Sequence, residues 1–126
     1  MRYLCLVAAV LALADGEPAQ AASPQNDDAA CDTATTTAGI AACLGAEAKA
    51  WDRKLNAAYA ALQERIDPGQ REPLRAAQRL WIQYRDANCR FYGAREGSVR
   101  QIEAAECLRS MTRDRARELT AAMAPQ

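Results

Sequence analysis

The sequence contains no histidine. Histidine is the side chain that most often acts as a general base near neutral pH, and it is the commonest protein ligand of transition metals. The serines lie in no nucleophile motif, and the chain has neither a glycine-rich phosphate loop nor a Cys-x-x-Cys-His haem site. The carboxylate pair Glu103 and Glu106 is of a kind that usually forms part of a solvated helix face. These absences predict a protein that is not an enzyme and that holds no cofactor.

The chain also lacks an excess of charge of either sign, because its 16 basic residues balance its 16 acidic residues. Nucleic-acid binding requires concentrated positive charge, so the composition predicts no nucleic-acid partner.

Long apolar runs are missing except at the start, where Arg2 precedes an apolar run from Tyr3 to Ala14. That run is shorter than the roughly 20 residues of a membrane span. It is followed by a small-x-small pattern ending at Ala21, which is typical of a signal-peptidase site. We expect residues 1–21 to be a signal peptide, with cleavage after Ala14 as the alternative. The mature protein would be periplasmic or secreted, would carry a net charge of about +1 and would have no membrane span.

Four cysteines remain after Cys5 is removed with the signal: Cys31, Cys43, Cys89 and Cys107. An even number in a small exported domain predicts two disulfides. A zinc site is the alternative, but the chain has no Cys-x-x-Cys pair and no histidine to complete it. Loop closure favours the pairs Cys31–Cys43 and Cys89–Cys107. The levels of the cysteines along the helices also permit Cys43 to pair with Cys89.

The periodicity of the mature chain is helical throughout, with no strand signal. Residues 22–34 are polar and aperiodic and predict a flexible lead, whereas residues 35–124 form the helical domain. A first helix begins at the threonines 35–37 and stops at Asp67-Pro68-Gly69. The second spans Arg71 to about Gly93, and the third begins at Ser98 in a capping-box arrangement with Gln101. The short connections predict an all-α, three-helix up-down-up bundle stapled by two disulfides.

The second helix is predicted to be the central element. Its apolar stripe is expected at residues spaced by three and four positions, with Gln78, Arg85 and Cys89 beside it: Leu74, Ala77, Trp81, Tyr84, Asn88 and Phe91.

Polar residues near Trp81 form the most informative cluster: Asn56, Gln78, Arg85 and Asp86. We expect a structural role, in which Gln78 and Arg85 form hydrogen bonds across helices to Asn56 or to helix-terminal carbonyls, because unpaired polar groups near a core are costly. A ligand-contacting patch is the alternative. The exposed second turn is the better candidate for partner contact, through Arg95, Glu96 and Arg100.

The cysteines and the motif Gln78-x-x-Trp81-x-x-x-Arg85-Asp86-x-x-Cys89 together resemble the LprI-like lysozyme inhibitor N-terminal domain family. The likeness extends from Cys31 to Leu119 and includes Leu55-Asn56-x-x-Tyr59 and Thr112-x-x-Arg115. It implies a small exported bacterial helical protein whose partner is a lysozyme. The chain has no lipid-attachment motif, which favours a free periplasmic protein. The alternative is an envelope-associated scaffold or binding module for another exported protein.

Overall fold

The computed structural model describes residues 31–124, all of whose regular structure is helical. The predicted signal peptide and residues 22–30 of the predicted lead lie outside this range. Helix α1 spans Thr37–Arg65, α2 spans Pro68–Gly93 and α3 spans Arg100–Ala121. The prediction of an all-α, three-helix bundle with two disulfides is confirmed. None of the helices between residues 31 and 124 is long and apolar enough to cross a membrane.

Helix α1 begins where its sequence supplies a cap, because the Thr36 hydroxyl accepts a hydrogen bond from the Gly39 N–H at 3.0 Å. Helix α2 begins three residues earlier than predicted. Asp67 is its N-cap, Pro68 occupies the first turn, and the Gln70 side chain accepts from the Asp67 N–H at 3.3 Å. The Asp-Pro sequence therefore starts the second helix as well as ending the first.

The predicted capping box at Ser98 does not form. Helix α3 starts at Arg100, and its N-cap, Val99, has helical backbone angles and makes no side-chain cap bond. The preceding turn instead depends on Gly97, whose φ of +89° lies in the left-handed region that favours glycine.

Contacts between the helices establish the up-down-up order. Helices α1 and α3 run parallel, since Glu47 meets Arg109 near one end and Trp51 meets Arg117 further along. Helix α2 is antiparallel to α3, because Gln78 bonds Arg115 and Cys89 bonds Cys107.

Helix α3, and not the predicted α2, makes close contact with both other helices. It packs along much of α1 and over a shorter stretch of α2, whereas α1 and α2 approach closely at few points. The hydrophobic core accordingly lies mainly between α1 and α3, and its buried members are Trp51, Leu55, Ala58, Leu62, Ala116 and Leu119. Small side chains at Ala58 and Ala116 permit this close approach.

The predicted buried stripe of α2 is partly wrong. Tyr84 and Phe91 are 62% and 63% exposed, and Ala77 is also exposed. Gln78 and Cys89, expected beside the stripe, are buried instead. The inner face of α2 is therefore more polar than its sequence periodicity suggests.

Candidate functional site

Arg85 connects all three helices. Its Nε donates a hydrogen bond to Asp86 Oδ1 at 3.0 Å, and its Nη2 lies 2.9 Å from the same oxygen in an ion pair. The Nη1 group reaches Thr112 Oγ1 on α3 at 3.4 Å and lies 3.5 Å from Asp52 Oδ1 on α1. The Arg85 side chain is only 16% exposed, so these partners replace most of its hydration.

Trp81 is flanked by two guanidinium groups. Arg85 lies 5.1 Å and Arg115 5.9 Å from its ring centroid, within the range of cation–π attraction. Arg115 also donates from Nε to Gln78 Oε1 at 3.1 Å, which gives the buried amide a partner across the α2–α3 interface.

Asn56 lies at the edge of this cluster. It is exposed, and its amide donates to Asp52 Oδ2 at 3.2 Å. Asp52 therefore links Asn56 to Arg85, in place of the direct bond that we expected. The structure brings the five residues of the predicted cluster to one side of the bundle, where they are joined through Asp52, Thr112 and Arg115.

These contacts support a structural role for the Trp81 cluster. Among the described residues, no buried side-chain nitrogen or oxygen lacks a hydrogen-bond partner. A cluster whose polar atoms are satisfied internally offers few groups to a ligand.

The second turn, which we define as residues 94–99, is exposed throughout. Its ends are held together by the Cys89–Cys107 disulfide, with a Cα–Cα distance of 5.4 Å. Arg95 Nη1 donates to Glu103 Oε1 at 2.7 Å, and its guanidinium carbon lies 5.8 Å from the Tyr92 ring centroid. Arg95 therefore holds the turn against α3, while Glu96 and Arg100 are exposed beside it.

An open groove of about 660 Å³ lies between α2 and α3 next to this turn. Its lining is mainly apolar but includes Asp86 and Arg90: Asp86, Cys89, Arg90, Gly93, Ala94, Ala104 and Leu108. Arg100 is the first residue of α3 and lies one helical turn before Ala104. Neither Arg90 nor Arg100 forms an ion pair with any residue in the described range 31–124. Arg90 in the groove and Arg100 beside the exposed turn are thus two cations available to a partner.

The other disulfide, Cys31–Cys43, lies beside a second charged cluster. Arg109 is 7% exposed and binds both Glu106 carboxylate oxygens at 2.7 Å, with Glu47 Oε2 3.6 Å from its Nε. Glu47 approaches the Cys31 sulfur at 3.5 Å. Cys31, Cys43 and Glu47 are close enough to surround a metal ion, but the two sulfurs are bonded to each other and offer no thiolate. This cluster secures the start of α1 to α3.

Sequence reasoning predicted Asn56 on α1 as part of the cluster but not Asp52 on α1 or Thr112 and Arg115 on α3. Asp52 and Asn56 are four residues apart on α1, and Thr112 and Arg115 are three apart on α3. Such spacings place each pair on one helix face. The spacing therefore indicates that the two residues of each pair lie together, although it does not show which helix face meets Arg85.

The fold and contacts define a disulfide-bonded helical domain whose described residues serve mainly structural contacts, with an exposed turn as its prominent surface feature. The family model described as "Lysozyme inhibitor LprI" matches residues 28–119, and the chain belongs to this family. The predicted resemblance is confirmed. The match covers both disulfides, the Trp81 cluster and the second turn.

One curated relative is an uncharacterised protein of Rhizobium meliloti (strain 1021). It is 36% identical over 117 residues, which cover 81% of this chain and 82% of the relative. No solved structure matches the chain significantly.

Proposed function

We propose that this protein is an exported inhibitor that binds a lysozyme through its second turn and the adjoining α2–α3 groove. The family match over residues 28–119 carries the choice of lysozyme as partner. The family's description also supports a binding protein with no catalytic activity of its own.

The positive charge near the groove supports the proposal that lysozyme binds there. Lysozymes cleave their substrate with two carboxyl groups in an open cleft, and arginine side chains complement such groups. Arg90 and Arg100 are exposed and have no ion pair within the described chain. Arg95 is already bound to Glu103, so its role in this proposal is to position the turn.

The rigidity of the turn supports the same surface. The disulfide and the Arg95–Glu103 pair fix its ends before binding, which reduces the conformational entropy lost on association. A net charge near zero gives little long-range steering, so the attraction would come from these local contacts.

The test is a titration of lysozyme turnover with the purified, oxidised mature protein. We expect inhibition at near-stoichiometric concentrations. Arg90→Glu and Arg100→Glu should each weaken inhibition about tenfold or more, the effect of losing about 1.4 kcal/mol of binding energy. Arg71→Glu is the matched control, because Arg71 is an exposed arginine at the opposite end of α2.

Two results would contradict the proposal in different ways. Full lysozyme activity at micromolar excess of the protein would remove lysozyme as the partner and favour a binding module for another exported protein. If inhibition is equally strong in the wild type and in both arginine variants, the protein is an inhibitor but binds lysozyme through another surface.

Export is part of the same proposal. The disulfides and the family support an oxidising compartment outside the cytoplasm. Amino-terminal sequencing of protein from a periplasmic fraction should give Ala22 as the first residue. An intact Met1 would contradict cleavage.

A further inference from the structure

Helix α2 carries an apolar stripe on its outer surface that no other part of the described chain covers. Leu80, Tyr84 and Phe91 are 66%, 62% and 63% exposed. They continue in both directions through smaller exposed residues, and we call the whole set the α2 seam: Pro73, Ala77, Leu80, Tyr84, Ala87, Phe91 and Ala94. Each residue up to Phe91 directly precedes one on the buried or half-buried side of α2, so the seam lies about 100° around the helix from that side.

The spacing of the α2 seam is that of a coiled coil. Its seven members follow one another by four, three, four, three, four and three residues, which is an unbroken heptad pattern over 22 residues. A seam of apolar residues sustained over about three heptads is typical of a helix that pairs with another helix along its length. Only alanine and proline supply apolar side chains in residues 22–30, so that segment has no chemistry to cover the seam.

We propose that a second copy of this chain docks on the α2 seam and forms a twofold dimer in which the two α2 helices are antiparallel. The proposal does not depend on the identity of the lysozyme partner. It assigns the outer face of α2 to self-association. This face adjoins the α2–α3 groove at Ala94, which belongs to both surfaces.

The seam is self-complementary in this orientation. Placing the twofold axis between Arg85 and Asp86 sets each seam residue between positions 77 and 94 opposite another seam residue. Tyr84 then faces Ala87 of the second copy, Leu80 faces Phe91 of the second copy, and Ala77 faces Ala94 of the second copy. The two Tyr84–Ala87 pairs set a large ring opposite a small side chain, which fills space well, as interdigitated cores require.

A parallel pairing lacks this match, because it sets Tyr84 on Tyr84 and Phe91 on Phe91 and leaves Ala87 on Ala87. In the antiparallel arrangement Arg90, which flanks the seam, lies near Gln83 of the second copy and away from Arg90 of the second copy. The two arginines therefore do not repel each other.

The area that the α2 seam could bury is large enough for a dimer interface. An aromatic side chain buries about 150–250 Å², so the exposed parts of the four rings in a dimer would contribute about 500 Å². Leu80, the alanines and the flanking stems supply the rest of an interface near the lower end of the stable range, about 1,200 Å² in total. We therefore expect a dimer that forms at micromolar concentrations.

Sedimentation equilibrium of the oxidised mature protein tests this proposal. The wild type should be mainly dimeric at about 100 µM, well above a micromolar dissociation constant. Leu80→Glu and Phe91→Glu should each raise the dissociation constant by at least about a hundredfold, because the symmetry places every substitution in the interface twice.

Val99→Glu is the matched control, since Val99 is an apolar residue that is 56% exposed but lies outside the seam. It should change the dissociation constant less than about twofold. All three variants replace exposed side chains, so helical circular dichroism should be unchanged.

Cross-linking tests the orientation. Mixed Ala77→Cys and Ala94→Cys chains, treated with a short thiol cross-linker, should give a covalent heterodimer. Ala77→Cys alone should give none, because antiparallel helices hold the two copies of residue 77 about 25 Å apart.

A monomer at about 100 µM would overturn the proposal, as would a dimer that both glutamate variants leave intact. Cross-linking of Ala77→Cys alone would overturn the antiparallel pairing. Lysozyme titration has a separate readout, so failure of the dimer is distinguishable from failure of the proposed inhibition.

Discussion

Arg85 of α2 donates a hydrogen bond to the hydroxyl of Thr112 on α3, at 3.4 Å. Thr112 is 2% exposed, and its hydroxyl thus obtains a charged donor at the position where the helices meet. Because Arg85 also pairs with Asp52 and Asp86, a single side chain connects α2 to both of its neighbours. The Arg-Asp pair within the family-like motif therefore has an architectural purpose that its sequence alone does not reveal.

Replacing Arg85 with alanine should be strongly destabilising. The substitution leaves the Thr112 hydroxyl without this donor and Asp52 without its cation, and it removes the group beside the Trp81 ring. We expect the free energy of unfolding in urea to fall by about 2–4 kcal/mol. Arg79→Ala is the control, because the Arg79 side chain is 59% exposed and its pair with Glu72 should contribute at most about 1 kcal/mol. Equal losses in the two variants would contradict the role of Arg85.

The two tryptophans should differ in their contribution to stability. Trp51 is 8% exposed within the core, whereas Trp81 is half-buried at its edge. Trp51→Ala should lower the free energy of unfolding by about 3–5 kcal/mol, and Trp81→Ala should lower it by less. Denaturant titrations of both variants make the comparison. A larger loss at Trp81 would place the centre of the core on α2 after all.

The two disulfides should also differ. The chain-entropy model assigns each about 3 kcal/mol, because the closed loops are of similar length, with sequence separations of 12 and 18. Cys89–Cys107 joins two packed helices, whereas Cys31–Cys43 ties a segment that precedes α1 back to that helix. We therefore expect the double serine variant at positions 89 and 107 to lose about 3 kcal/mol and the variant at 31 and 43 to lose less. Thermal unfolding of both oxidised variants measures the difference, and the reverse order would show that the start of α1 limits stability.

Thr36 caps α1, whereas Ser98 was predicted to cap α3 and does not. Their substitutions should therefore differ in their effect on stability. Thr36→Ala removes the hydrogen bond to the Gly39 N–H and should cost about 1 kcal/mol. Ser98→Ala should have almost no effect, because Ser98 makes no side-chain cap bond at α3. Urea midpoints of the two variants give the result. A comparable loss at Ser98 would indicate that its hydroxyl caps α3 in solution.

The existence of three helices and most of their ends could be predicted from local chemistry. Threonines before α1 and the Asp-Pro-Gly sequence between α1 and α2 act within a few residues, so the sequence displays them directly. The prediction at Ser98 was wrong because the N-cap position of α3 falls on Val99, whose backbone is helical and whose side chain cannot accept a hydrogen bond.

The inner face of α2 could not be predicted in the same way. Periodicity gives weight to large apolar side chains, and on α2 these include Tyr84 and Phe91, which face outward. Gln78 is buried because Arg115, 37 residues later, supplies its partner. Burial of a polar residue depends on such distant partners, whereas a local pattern contains no information about them. The sequence therefore predicted the members of the Trp81 cluster on α2 and Asn56 on α1, but not Asp52, Thr112 and Arg115, which join them.

The four cysteines among residues 31–124 are joined in the order in which they occur along the chain, the first to the second and the third to the fourth. Each bond can close as soon as its own two cysteines have entered an oxidising compartment, without waiting for α1 and α3 to meet. An oxidase that acts on the chain from its amino terminus would thus produce the native connectivity directly, and maturation would need no isomerase to exchange wrong bonds.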